Sequence, residues 1–153
     1  IFEKVPSEST LPALMQRLLA SGALVSGGNF NHFTSHLVRR LMEGGELAAF
    51  VETLRARYAE RAQAMDAALR RHLSGVARWE KPGGGYFFWL ELPEGADAAA
   101  LEAAARAAGT GFLPGSACSN AGGLRHCLRL SFAHYSVADI HEGIARLKRA
   151  FAP

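Results

Sequence analysis

Apolar residues recur at three- and four-residue steps from Leu11 to Leu19, where Leu11, Leu14, Met15, Leu18 and Leu19 form one stripe. Thr10 stands where an N-cap is needed, Pro12 suits the first turn, and Gly22 stops this first predicted helix. The linker ALVSGGNFN follows, rich in glycine and asparagine that tolerate unusual backbone angles. A second helix is expected from about Phe33 to Met42, ending at Gly44 and Gly45. The third and longest runs from about Glu46 to Leu73. Leu47, Phe50, Val51, Leu54, Tyr58, Met65, Leu69 and Leu73 keep its 3.6-residue beat, and Asp66 precedes Arg70 in the favourable i,i+4 order. A helix of that length commonly bridges two structural units.

Beyond Leu73 the period changes. GVARWEKPGGGYFFWLELPEG reads as two strands around a proline–glycine turn. Tyr86 to Leu92 is apolar at both parities until Glu91, which predicts a strand covered on both faces. Asp97 caps an alanine-rich helix that stops at Gly109. A short strand is expected near Thr110–Leu113, then the turn PGSACSNAGG and the strand CLRLSF. The last helix opens on the capping-box pattern Ser136–Asp139 and runs to about Phe151. Residues 46–153 therefore predict an α+β unit with a small mixed or antiparallel sheet covered by helices. Residues 1–45 are helical, contribute no strand, and carry apolar faces that need a partner.

Composition narrows the class. At 153 residues, 49% hydrophobic and 20% charged, the chain can build an ordinary globular core and is not a disordered segment. No apolar run approaches the roughly 18 residues of a membrane span. The opening IFEKVPSEST lacks the pattern of a secretory leader. Two cysteines make no disulfide framework, so a reducing cytoplasm is the expected compartment. The net charge of +3 is scattered along helices rather than clustered, which argues against a nucleic-acid surface.

Few residues offer chemistry. In Cys127–Phe132, alternation puts Leu128, Leu130 and Phe132 on one face and Arg129 and Ser131 on the other. An arginine inside an apolar strand must reach water or an anion, and its planar fork matches a carboxylate. The run Gly83–Gly85 before Tyr86 lacks a phosphate-binding pattern. It makes either a turn with positive φ or a backbone that something approaches closely. His32 and His36 have helical i,i+4 spacing, but the intervening residues lack the glutamate of a zinc-protease motif and no third ligand is evident, so no metal is expected. Cys118 and Cys127 are too far apart for a CxxC site and read as ordinary thiols. His134 and Tyr135 follow the arginine strand and could line the same pocket.

Three stretches in this order, WEKPGGGYFFWLELPEG, TGFLPGSACSNAGGLRHCLRLSFA and SVADIHEGIARLKRAF, resemble the C-terminal part of a fold type I, class I/II pyridoxal-phosphate-dependent aminotransferase. SGGNFNHFTSHLV likewise resembles the segment leading into the long helix of aminoadipate-type and related transaminases. The resemblance implies that 46–153 is the C-terminal small domain with its connecting helix, and that 1–45 is a remnant of the large cofactor-binding domain and linker. It implies that Arg129 grips the substrate's α-carboxylate. It puts Gly84 and Tyr86 near the substrate entrance, and Asn29 and Asn31 on a linker near the active site or a subunit interface. Implied partners are an amino acid or 2-oxo acid, an N-terminal large domain, and a second copy in a homodimer.

The family's Schiff-base lysine lies in a Ser/Thr-x-x-Lys context well before the long helix. Lys4, Lys81 and Lys148 do not match it. Pyridoxal 5'-phosphate would thus be bound mainly by residues upstream, no catalytic residue is expected within this chain, and the chain is expected to be inactive alone. Two alternatives share the pattern: an aminotransferase-like effector domain of a bacterial transcription regulator, and another fold type I enzyme such as a lyase or acyl transferase.

Overall fold

The computed structural model describes residues 11–20 and 31–151. The chain divides into two compact units, residues 1–51 and 52–153. The first unit holds α1 (Leu11–Leu19), α2 (His32–Glu43) and the opening turns of α3 (Glu46–Leu73). Asn31 is the N-cap of α2, its side-chain oxygen accepting the Thr34 N–H at 3.1 Å. The Gly44 N–H donates to the Arg40 carbonyl, and Gly45 takes φ +77°, which ends α2 before α3 begins. The expected caps Thr10 and Gly22 lie outside the described residues.

The second unit continues α3 into β1 (Arg78–Trp79), β2 (Phe87–Glu91), α4 (Glu102–Ala107), β3 (Leu113–Pro114), β4 (Cys127–Ser131) and α5 (Val137–Ala150). The sheet is wholly antiparallel in the order β1-β2-β4-β3. Its registers put Phe88 opposite Leu130 and Leu90 opposite Leu128 on one face. That face meets Met65, Leu69 and Leu73 of α3 and Ile140, Ile144 and Leu147 of α5, and together they form the core. Burying these side chains contributes roughly 1.5–3 kcal/mol each. Phe88 and Phe132 pack edge to face within it, centroids 5.8 Å apart.

Four expectations are corrected. The strand from Tyr86 to Leu92 is not covered on both faces by the described residues. Phe88 and Leu90 are buried, whereas Phe87 is 42% exposed and Trp89 half-buried. All the helices packed in the core lie against one face, so the second parity of apolar residues stays open. The expected strand at 110–113 starts only at Leu113. Gly109, at φ +74°, terminates α4, and the Thr110 N–H donates back to the Ala105 carbonyl, so the chain is still finishing a helix. The alanine-rich helix is also subdivided, a 3-10 turn at Ala98–Leu101 capped by Asp97 preceding α4. The stripe along α3 is buried only from Ala62 onward, with Phe50 exposed.

Asp66 ties α3 to β1. Its carboxylate accepts the Trp79 indole N–H and the Arg70 guanidinium N–H, each at 2.9 Å. Burial pushes this carboxyl up, but the hydrogen bonds from Trp79 and Arg70 outweigh it and hold the group below its ordinary 3.8. A carboxyl depressed in the fold contributes stability above the unfolded value and loses it as pH falls through the folded one. Asp66→Asn is therefore expected to unfold more easily than the parent by about 1 kcal/mol at neutral pH. That gap should close on acidification below about pH 4, in chemical denaturation repeated across pH.

Candidate functional site

Arg129 occupies the middle of β4, opposite Trp89 on β2 and Leu113 on β3. Because Leu128 and Leu130 turn into the core, Arg129 stands on the open face, beside Phe87, Trp89, Leu113 and Ser131. It is half-buried. Its guanidinium carbon lies over the Phe87 ring, 4.1 Å from the centroid. Phe87 faces Ser131, so this contact is the diagonal cross-strand pair of an antiparallel ladder.

Arg129 also lines a cleft of about 790 Å³ that extends over the 109–112 segment to the first turns of α5. The cleft walls carry five charged side chains. Arg106 is paired with Glu102, and Arg146 with Glu142. Asp139 closes the capping box of α5: its N–H donates to Ser136 Oγ, and its carboxylate accepts the Ser136 hydroxyl and, secondly, the Ser136 N–H, which together hold that carboxyl below its usual range. Among the described residues the Arg129 guanidinium has no hydrogen bond or ion pair, while the Arg129 backbone belongs to the β2–β4–β3 ladder. It is thus the cleft's cation with its donors free, a group able to take a carboxylate by two parallel hydrogen bonds.

The other sequence candidates separate. Tyr135 lines the cleft with Arg129, and His134 stacks edge-on against it without lining the cleft. Gly84 is exposed, and a Cβ there would meet nothing within 4 Å, so no described group of this chain approaches it closely. The glycine run is a turn, with only Gly85 at positive φ among its three residues. Tyr86 lies outside the cleft wall and rests its ring on Tyr58 at 5.0 Å. Asn31 is engaged as a helix cap, and Asn29 lies outside the described residues. His32 and His36 stack on each other at 6.0 Å on α2. Cys118 is exposed. Cys127 is buried, and burial together with the Glu91 carboxylate pushes its thiol up, away from the reactive thiolate.

Two participants escape sequence reasoning. Phe87 partners Arg129, but one strand alone does not reveal which neighbour crosses the ladder to it. Gly115 lets the β3–β4 connection close: a Cβ there would lie 2.4 Å from the Leu124 carbonyl oxygen and 2.7 Å from Cys127 Cβ. Its place in the PG turn was the only signal.

Residues 17–147 match the family described as aminotransferase class I and II. Among curated proteins, the chain is 40% identical over 114 residues to the 2-aminoadipate transaminase of Thermus thermophilus, covering 74% of this chain and 28% of that protein. It is 33% identical over 117 residues to aromatic-amino-acid aminotransferase 1 of Thermococcus litoralis, covering 76% of this chain and 28% of that protein. Among solved structures, it is similar to the α-aminoadipate aminotransferase LysN of Thermus thermophilus complexed with N-(5'-phosphopyridoxyl)-L-leucine, with TM-score 0.81, 34% identity, and coverage of 91% of this chain and 35% of that one. The chain spans little more than a quarter of the length of these curated relatives. An antiparallel sheet packed against a long helix, with Arg129 on its open face beside a cleft, thus coincides with a family match over most of the sequence: the chain belongs to the aminotransferase class I and II family.

Proposed function

We propose that the protein carrying this chain is a pyridoxal-phosphate-dependent aminotransferase, and that the chain supplies the clamp for the substrate's α-carboxylate. The observation that carries this is Arg129: a half-buried guanidinium on the open sheet face, beside a cleft, with no acidic partner among the described residues. Every amino acid and 2-oxo acid exchanged in transamination carries that carboxylate, so one fixed fork serves both half-reactions and orients the substrate for proton removal. The named relatives being aminotransferases favours this over the regulator alternative.

The described residues do not fit the cofactor itself. No lysine lines the cleft, Lys81 and Lys148 are exposed outside it, and Lys4 lies outside the described residues. Cofactor binding and the catalytic lysine are accordingly assigned to the rest of the protein, with residues 46–153 as its small domain and 1–45 as part of the large domain and linker. A homodimer is supported by the family match and by α2, which exposes Phe33 (80%) and Met42 (61%). Asn29 and Asn31 are assigned to that interface or the nearby active-site rim, and Gly84 and Tyr86 to the substrate entrance. No described helix is long and apolar enough to cross a membrane. The unpaired Cys118 and Cys127 support a cytoplasmic, reducing setting.

The test is product analysis. The cofactor-loaded full protein should convert an amino acid and a 2-oxo acid into the exchanged pair in equal amounts, whereas this chain alone should give no turnover. Release of ammonia, carbon dioxide or a thiol in place of exchange would move the reaction to a lyase or decarboxylase.

A further inference from the structure

We propose that Phe87 is a positioning residue for the clamp, holding the Arg129 guanidinium in place through a cation–π contact that leaves its N–H donors available to the substrate. This rests on the reading of Arg129 as the carboxylate clamp.

The argument starts from what holds the guanidinium. A long arginine side chain on an open sheet face has several rotamers, and fixing one costs entropy that some contact must offset. A carboxylate partner would fix it but would also occupy the donors. Among the described residues no such partner exists, and the contact present is the Phe87 ring, 4.1 Å from the guanidinium carbon. A ring attracts the cation through its quadrupole without accepting a directional hydrogen bond from every N–H. Phe87 therefore restrains Arg129 while leaving its hydrogen-bonding capacity unspent.

Phe87 is itself held. Its ring meets Tyr86 edge-on at 6.5 Å, and Tyr86 meets the Tyr58 ring of α3 at 5.0 Å. The Phe132 N–H donates to the Tyr86 carbonyl at 3.1 Å, prolonging the β2–β4 ladder at that end. A run of aromatic contacts thus links α3 to the guanidinium, which gives Phe87, on the parity of β2 that the core does not use, a place in the structure. Phe87 is 42% exposed, so exchanging it leaves no core cavity.

The test compares Phe87→Leu, which keeps the bulk but removes the ring quadrupole, with Phe87→Tyr and Phe87→Trp, which keep a ring. Each is made in the cofactor-loaded full protein and again with Arg129→Leu. Calorimetry reads binding of α-methyl-leucine, which carries the carboxylate but has no Cα proton to lose, and of isoamylamine, which lacks the carboxylate. Kinetics read KM and kcat for L-leucine. Phe87→Leu should weaken α-methyl-leucine binding and raise KM about 5- to 10-fold, leave kcat within about twofold, and spare isoamylamine. Tyr and Trp should stay near the parent, and Phe87→Leu should add nothing in the Arg129→Leu background. An unchanged Phe87→Leu, an equal loss in both backgrounds, or a loss shared by Phe87→Tyr would overturn the positioning role while leaving the clamp intact. If Arg129→Leu by itself leaves α-methyl-leucine binding unchanged, the clamp fails and this inference falls with it.

Discussion

Replacing Arg129 by leucine is expected to lower kcat/KM for amino-acid substrates by about 10²- to 10³-fold in the full protein. Two charge-assisted hydrogen bonds to a carboxylate would be lost, at roughly 1.5–3 kcal/mol each and partly offset by water. Lysine keeps the charge but presents a point cation in place of a fork, so Arg129→Lys should lie between the parent and Arg129→Leu. The loss should be confined to substrates that carry the α-carboxylate, because the side chain acts on that group alone. Stability should change little, since Arg129 stands on the open face and the core packs behind it. A large fall in thermal stability, or an equal loss with a carboxylate-free amine, would show a structural role instead.

Phe88→Ala should carry the largest stability effect, about 3–5 kcal/mol in denaturant unfolding of the full protein. The side chain is fully buried, meets Phe132 edge to face, and sits opposite Leu130 in the middle of the sheet. Truncation leaves a cavity under β2 that the close-packed neighbours cannot refill without moving the strand. Phe87 is the next residue on that strand and turns to the other face, so a shifted β2 should also raise KM. A destabilisation below about 1 kcal/mol would mean that this face of the sheet is not the core.

The contrast between Phe88 and Phe87 shows what a sequence can carry. The bounds of α3 were readable because Gly44 and Gly45 precede it and the apolar period changes after Leu73, and a helix period is a local property. The alternation of β4 and the Ser136–Asp139 cap were equally local, and the Arg129 side chain announced itself by chemical type. What failed was non-local. An apolar run at both parities looks the same whether its second face is covered by this chain or by something else, and only the structure shows Phe87 and Trp89 left open. The delayed start of β3 depends on the Thr110 N–H reaching back to Ala105, a bond that residue types at 110–113 do not reveal. The cross-strand register that sets Phe87 against Arg129 is likewise decided by pairing between strands 40 residues apart.

Everything functional here depends on one guanidinium meeting one acid group. A crystal structure of the cofactor-loaded protein with an amino acid bound puts that meeting on view. The expected result is two Arg129 nitrogens about 2.7–2.9 Å from the two carboxylate oxygens, with Phe87 still beneath the guanidinium. A carboxylate held by other residues, with Arg129 turned to solvent, would contradict the assignment.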